Sequence, residues 1–248
     1  MGYPQFFYFK KEEFIGNTDF CSKFFVLTYI LQIETATTNC SVAIAKNGKT
    51  IAVKELSNGY SHAENLHVFI KEVLEENALS FSDLSAIAVS KGPGSYTGLR
   101  IGVSAAKGLC FGLDIPLIAI ETLEVLAQQI VINSGYIVPM IDARRMEAYT
   151  KVYNANHEAV RAIKAEILEE TSFDAYLDRK VVFIGNKTEK TASVIKSSNA
   201  EFIEAVPSAR EMSTLAYEKY KKNDIEDVAY FEPYYLKDFL VTPEKKKV

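Results

Sequence analysis

The sequence predicts an α/β protein built as two lobes, each a mixed sheet flanked by helices, and three observations carry that prediction. Between Tyr29 and Leu56 lie three β-type runs, the last two joined by Asn47-Gly48, the strongest short hairpin signal. From Ser61 the apolar spacing changes to that of a helical face, and helix and strand then alternate. Finally, Tyr136-Ile137-Val138-Pro139-Met140-Ile141-Asp142 echoes Tyr29-Ile30-Leu31-Gln32-Ile33-Glu34. Each copy ends in a carboxylate and is followed by a polar turn and another strand, so a βββαβα unit is expected twice.

Taken in order, the first runs are Tyr29 to Glu34, Cys40 to Lys46 and Thr50 to Leu56. Ser61 and Glu64 form a capping box, and Leu66, Phe69, Ile70, Val73 and Leu74 mark one face of a helix over 61–77. A buried strand from Ala86 to Val89 leads into a glycine loop and a helix from about Thr97 to Gly112. A strand from Leu117 to Ile120 and a helix opened by Glu121-Thr122 complete the unit. The second unit offers strands at Tyr136 to Asp142, Ala148 to Tyr153 and Val181 to Gly185, with an asparagine turn at Asn154-Ala155-Asn156. A short helix over Thr188 to Ser197 and a longer one over Ser208 to Lys222 precede an extended aromatic end. The expected division is an appendage over residues 1–27, a first lobe over 28–124 and a second lobe with the C-terminal segment over 125–248, the C-terminal helix packing back on the first lobe.

Composition narrows the function classes. The 248 residues are 48% hydrophobic and 24% charged, the balance of a globular chain. A net charge of -4 lacks the basic excess that binding a phosphate backbone requires, so any RNA is expected to be held mainly by a partner. Lys219, Lys221 and Lys222, and the terminal Lys245 to Lys247, read as a solvated helix end and a solubilising tail. Cys21, Cys40 and Cys110 are too few and too scattered for a disulfide framework or a zinc site, which fits a reducing cytoplasm. No stretch reaches the roughly 18 apolar residues of a membrane span.

Two lobes with a carboxylate at the end of each first strand resemble the actin, Hsp70 and sugar-kinase superfamily, a duplicated ribonuclease H-like fold. In that superfamily such carboxylates hold a metal-nucleotide through water. Glu34 and Asp142 occupy those positions, but the turn Thr35-Ala36-Thr37-Thr38-Asn39 has no glycine, and Gly185 stands alone where a pair would receive adenosine. A Cβ where phosphate oxygens need the amides argues for a vestigial site made of Glu34, Thr35, Asp142 and Gly185. A kinase-like or metallopeptidase-like enzyme is the rival reading. His62 and His67 are five residues apart, which leaves their imidazoles about 140° apart on a helix. Helical zinc pairs need i, i+4, and the position four after His62 is Leu66, so no metal site is expected and His62 reads as a capping or surface residue.

The loop Gly92-Pro93-Gly94-Ser95-Tyr96-Thr97-Gly98-Leu99-Arg100 follows a strand and opens a helix, a geometry that can present amides to an anion. It equally fits a structural turn needing positive φ and close packing. The small residues Gly98, Gly102, Ala105, Ala106, Gly108 and Gly112 cost the helix roughly 1 kcal/mol per glycine relative to alanine. Packing on the sheet from one side and on a partner from the other would offset that. No nucleophile is evident, because Ser95 lacks the Gly-x-Ser-x-Gly elbow.

The segments ILQIETATTNCSVAIAKNG, SHAENL, KGPGSYTGLRIGVSAAKGL, PMIDARRMEAYT and EPYYLKDF resemble the bacterial TsaB (YeaZ) family, whose older description is glycoprotease-like or M22 peptidase homologue. The resemblance implies a non-catalytic subunit of the machinery that transfers threonylcarbamoyl to the adenosine following the anticodon in tRNAs reading codons that begin with A. It implies a heterodimer with the catalytic paralogue TsaD, joined by the ATPase TsaE. The surface that pairs with TsaD is expected to permit a homodimer when the partner is absent. The charge balance and the lack of a long apolar stretch lead us to expect indirect contact with tRNA and no membrane. No cofactor of its own is expected, ATP and magnesium entering only in the assembled complex. The expected partner surface is Leu66, Phe69, Ile70 and Val73 on the first helix and Gly98, Leu99, Gly102, Val103 and Ala106 on the second. Gly92, Gly94, Ser95, Thr97 and Arg100 form the glycine loop.

Overall fold

The computed structural model describes residues 27–57 and 62–237. The N-terminal appendage up to residue 26, Ser61 of the capping box, Cys21 and the terminal lysines lie outside them. The first unit runs β1 (Tyr29–Glu34), β2 (Cys40–Lys46), β3 (Lys49–Leu56), α1 (His62–Glu75), β4 (Leu84–Gly92), α2 (Tyr96–Leu113), β5 (Leu117–Glu121) and α3 (Thr122–Ala127). The second runs β6 (Tyr136–Asp142), β7 (Glu147–Asn154), β8 (Ala159–Ile167), β9 (Val181–Gly185), α4 (Thr188–Val194), β10 (Ala200–Glu204) and α5 (Met212–Lys221).

The sheets have orders β3-β2-β1-β4-β5 and β10-β9-β6-β7-β8, the same arrangement written in opposite directions. In each, the first three strands form an antiparallel meander and the last two add in parallel. The two sheets thus repeat one ribonuclease H-like arrangement, the duplication that the echo of β1 in β6 predicts. The duplication is looser in helices than in strands, because between β8 and β9 the described helical turn is only the 3-10 turn Asp174–Tyr176. Strand β10 was not anticipated: its sequence AEFIE buries no residue fully, so it lacks the apolar run that marks β9.

The first core lies between one sheet face and α1 with α2, joining Leu31, Ile33, Val42 and Ile44 to Leu66, Ile70, Val73, Val103 and Ala106. The opposite face, Ile30, Ala86, Ala88, Ile118 and Ile120, packs on Val125 of α3 and on Met212 and Ala216 of α5. The chain's last helix therefore returns to the first lobe. Leu126 and Ala127 of α3 face the other way, against Ile137, Val182 and Ile184 of the second sheet, so α3 is wedged between the lobes. No helix among the described residues is long and apolar enough to cross a membrane.

Candidate functional site

Alternation along β1 turns Ile30, Gln32 and Glu34 to the face that meets α5, and Glu34 is fully buried at the strand's end. Its Oε1 accepts the Ala36 amide at 2.6 Å and the Ser90 hydroxyl at 2.9 Å. Oε2 has no hydrogen-bond partner among the described residues. Burial pushes this carboxyl up to about 7 against those two hydrogen bonds, and the Glu211 carboxylate adds a smaller push.

The turn after Glu34 is closed by its own chain. The Thr35 hydroxyl donates to the Gly98 carbonyl at 2.8 Å, and the Ser95 amide donates to the Ala36 carbonyl at 2.7 Å. A Cβ on Gly98 would stand 2.1 Å from the Thr35 carbonyl oxygen, one on Gly102 2.3 Å from the Thr35 hydroxyl, and one on Gly94 2.4 Å from the Ala36 carbonyl oxygen. These glycines admit the β1–β2 turn rather than a ligand or another molecule. Ser95 caps α2 by accepting the Gly98 amide at 3.3 Å, so two loop amides that could face an anion are already used. Gly92 has φ +116°, the positive φ that a structural turn requires, and a Cβ there would meet the Tyr234 carbonyl oxygen at 2.6 Å. Thr97 and Arg100 are exposed, and Arg100 lies over the Tyr96 ring while its Nε donates to the Tyr235 hydroxyl.

Asp142, the second-lobe counterpart, is saturated by cations. Lys190 Nζ lies 2.6 Å from Oδ1, Lys187 Nζ lies 3.3 Å from Oδ2, and the Asp142 amide donates to Asn186 Oδ1 at 2.9 Å. Burial opposes ionisation of Asp142, but the hydrogen bonds and charges of Lys190 and Lys187 outweigh it and hold the carboxyl below its usual range. A Cβ on Gly185 would lie 1.9 Å from the Met140 carbonyl oxygen, so this glycine serves the contact between β9 and β6. A magnesium nucleotide does not fit these residues: one carboxyl is enclosed and easily protonated, its turn is occupied by α2, and the other is neutralised by two lysines.

The remaining candidates resolve by burial. Leu66, Val73, Leu99 and Ala106 have no exposed surface, Ile70 has 2% and Val103 has 4%, so they are core and cannot form a partner surface. Phe69 is half-buried against the same core. The correction has a simple cause: a helix lying on a sheet must bury one apolar stripe, and this is that stripe. His62 is likewise neither cap nor surface residue. It is buried, with Nε2 2.7 Å from the Thr37 carbonyl oxygen, whereas His67 is exposed. Burial pushes the thiols of Cys40 and Cys110 up to about 11 and about 12, far from the range of a nucleophile. Among the described residues no group of three His, Cys, Asp or Glu side chains could hold a metal ion.

What stays exposed is the outer face of the same two helices. Val68 on α1 is 49% exposed and Phe111 on α2 is 85% exposed, while a Cβ on Gly108 or Gly112 would meet nothing within 4 Å. The small residues of α2 thus divide between an inner row that fits its own lobe and an outer row facing open space. Spacing could have separated them, since Gly98, Gly102 and Ala106 recur at i, i+4, whereas Gly108 and Gly112 lie on another row.

The profile of the family described as TsaD, tRNA N6-adenosine threonylcarbamoyltransferase, matches residues 57–243. Over 177 residues the chain is 33% identical to the tRNA threonylcarbamoyladenosine biosynthesis protein TsaB of Bacillus subtilis, covering 67% of this chain and 75% of that one. The chain belongs to the TsaB family. TsaB of Escherichia coli is 29% identical over 221 residues, 84% of this chain and 94% of that one. The YeaZ structure from Pseudomonas aeruginosa superposes with a TM-score of 0.74 at 25% identity, over 84% of this chain and the whole of that one. In this chain of the TsaB family the first-lobe carboxylate turn is closed by α2.

Proposed function

We propose that this chain is a non-catalytic, scaffolding subunit in the biosynthesis of threonylcarbamoyladenosine in tRNA, pairing with a TsaD paralogue that carries the metal and the catalysis. The observation that carries this reading is the enclosure of the vestigial site: the Thr35–Ala36 turn is filled by the Gly94, Gly98 and Gly102 row, and Asp142 is held by Lys190 and Lys187. The names of the family relatives supply the pathway. ATP with magnesium enters through the other members of the assembly, the ATPase TsaE joining the pair. The chain is cytoplasmic, and without its partner it pairs with a second copy through the same surface.

That surface is the outer face of α1 and α2, centred on Val68, Phe111, Gly108 and Gly112. The profile of the TsaD family begins just before α1, so the paralogue shares this helix pair and can offer a like surface in a pseudo-symmetric dimer. An exposed phenylalanine beside glycines without neighbours suits close helix approach, because a small residue lets a facing side chain reach the backbone. Phe111→Asp is therefore expected to abolish capture of the paralogue in a pull-down while leaving circular dichroism and the unfolding midpoint unchanged. Capture that persists would move the interface elsewhere. Calorimetric titration of the isolated chain with magnesium-ATP is expected to give no binding heat up to millimolar nucleotide. Sub-millimolar binding lost in Glu34→Ala would instead restore the kinase-like reading. Reconstituted tRNA modification is expected to fall when this chain is omitted.

A further inference from the structure

Strands β6 and β9 are parallel neighbours, so their carboxyl ends open at one edge of the second sheet. In parallel sheets that edge is where ligands are met, and here the residues just beyond it are basic. Arg144 and Arg145 form the tip of the β6–β7 hairpin, and Lys187 follows β9. Lys190 on α4 touches Asp142 at 2.6 Å and the Glu147 carbonyl oxygen at 2.6 Å, and Lys237 pairs with the Glu147 carboxylate. Three lysines thus pair with two carboxylates here, and two arginines stand in the adjoining hairpin, in a chain whose net charge is -4.

The backbone at this edge runs against local preference. Arg144 has φ 72°, Arg145 φ 50° and Lys187 φ 59°, all in the left-handed region. The hairpin is tight, with the Ala143 amide donating to the Glu147 carbonyl at 3.0 Å and the Glu147 amide to the Arg144 carbonyl at 3.1 Å. Two consecutive left-handed residues ordinarily call for Asn-Gly, and the β2–β3 hairpin of this same chain uses it, at Asn47-Gly48. A side chain in this conformation is strained, because its Cβ crowds the backbone carbonyl. Both arginines are exposed, and neither guanidinium has a hydrogen bond or ion pair with the described residues, so the side chains themselves gain nothing there from this conformation. Unrelieved strain under exposed charge marks a place to look for a ligand.

We propose that this edge, led by Arg144 and Arg145 with Lys187 beside them, is a contact for the phosphate backbone of RNA. The proposal rests on the reading of the chain as a subunit of a tRNA-modifying assembly and names the surface through which it would touch the nucleic acid. An extended polyanion fits better than a small one, because the crevice between Asp142, Asn186, Lys187 and Lys190 has no room even for water. The exposed guanidiniums can instead fork onto successive phosphates of a strand laid across the surface. With only a few such contacts on an acidic chain, the edge adds to binding by the assembly and does not make the isolated chain a tight RNA binder.

The test uses the assembly of this chain with its paralogue and the ATPase, measuring tRNA affinity by anisotropy across a salt series. The double variant Arg144→Asn, Arg145→Gly removes both charges and supplies the residues this turn favours. It is expected to unfold at a higher temperature than the parent chain yet to bind tRNA about tenfold more weakly, with the slope of log affinity against log salt reduced by about two. Arg144→Lys with Arg145→Lys should keep most of the slope. Unchanged affinity and slope in the Asn-Gly variant would overturn the proposal. So would loss of a protein subunit from the assembly with tRNA affinity intact, which would make the edge a protein contact, or weakened magnesium-ATP binding alone, which would make it a nucleotide site. If the Asn-Gly variant still captures the paralogue, failure here leaves the subunit reading standing; if the parent chain does not join the assembly, both fail.

Discussion

Gly98→Ala is expected to destabilise the chain by about 3 kcal/mol, whereas the same substitution at Gly108, ten residues along one helix, is expected to stabilise it. At Gly98 the new methyl would lie 2.1 Å from the Thr35 carbonyl oxygen, a backbone atom at the end of β1 that cannot swing aside. The Thr35 hydroxyl also holds the Gly98 carbonyl at 2.8 Å, so moving the turn breaks a buried hydrogen bond as well. Overpacking typically costs about 1–3 kcal/mol, and the lost hydrogen bond sets the upper end as the better figure. For a chain of this size that is a fall of roughly 6–12 °C in the unfolding midpoint. At Gly108 nothing lies within 4 Å of a Cβ, and alanine gains about 0.5–1 kcal/mol by reducing the freedom of the unfolded chain. Thermal unfolding of the two variants beside the parent chain checks the opposite signs. A destabilised Gly108→Ala, or a neutral Gly98→Ala, would mean the inner and outer rows of α2 have been exchanged.

The same contrast shows which parts of this protein can be read from sequence. Strand periodicity and the Asn47-Gly48 turn located β1 to β3 because each signal is local, and the echo of β1 in β6 exposed the duplication. The apolar stripe of α1 was legible as a stripe. Its occupant was not, because Leu66, Ile70 and Val73 have the same spacing whether they meet their own sheet or another protein. The row Gly98, Gly102 and Ala106 looked like room for a partner, since the turn that fills it lies more than 60 residues earlier. Asp142 was recognised at its strand end, but its neutralisation by Lys187 and Lys190 depends on β9 docking beside β6. The polar turn after Asp142 was legible, but its left-handed backbone at Arg144-Arg145 was not, because neither residue favours that conformation. Local chemistry was readable, and what depended on distant docking was not.

Burial of Glu34 contributes a loss of stability as pH rises, a contribution that Glu34→Gln should remove. The folded carboxyl is pushed up to about 7 from an ordinary value of 4.5, chiefly by burial. Between those limits the folded state holds a proton that the unfolded state has released, so unfolding becomes easier with each rise in pH. Below about 4.5 both states are protonated and the contribution is constant. Above about 7 both are ionised, and the folded state bears the cost of a buried carboxylate whose Oε2 has no partner among the described residues. The interval corresponds to about 3 kcal/mol. Glutamine keeps an oxygen that can accept from the Ala36 amide and the Ser90 hydroxyl, so the variant retains both hydrogen bonds while losing the titration. Nearby Glu211 and Cys40 are common to both proteins and largely cancel in the comparison. Urea unfolding at a series of pH values from 4.5 to 8 is expected to show the variant gaining about 3 kcal/mol on the parent chain across the range. Parallel profiles would mean that Glu34 is ionised in the folded state throughout, with a carboxylate available where a nucleotide-binding relative would use one.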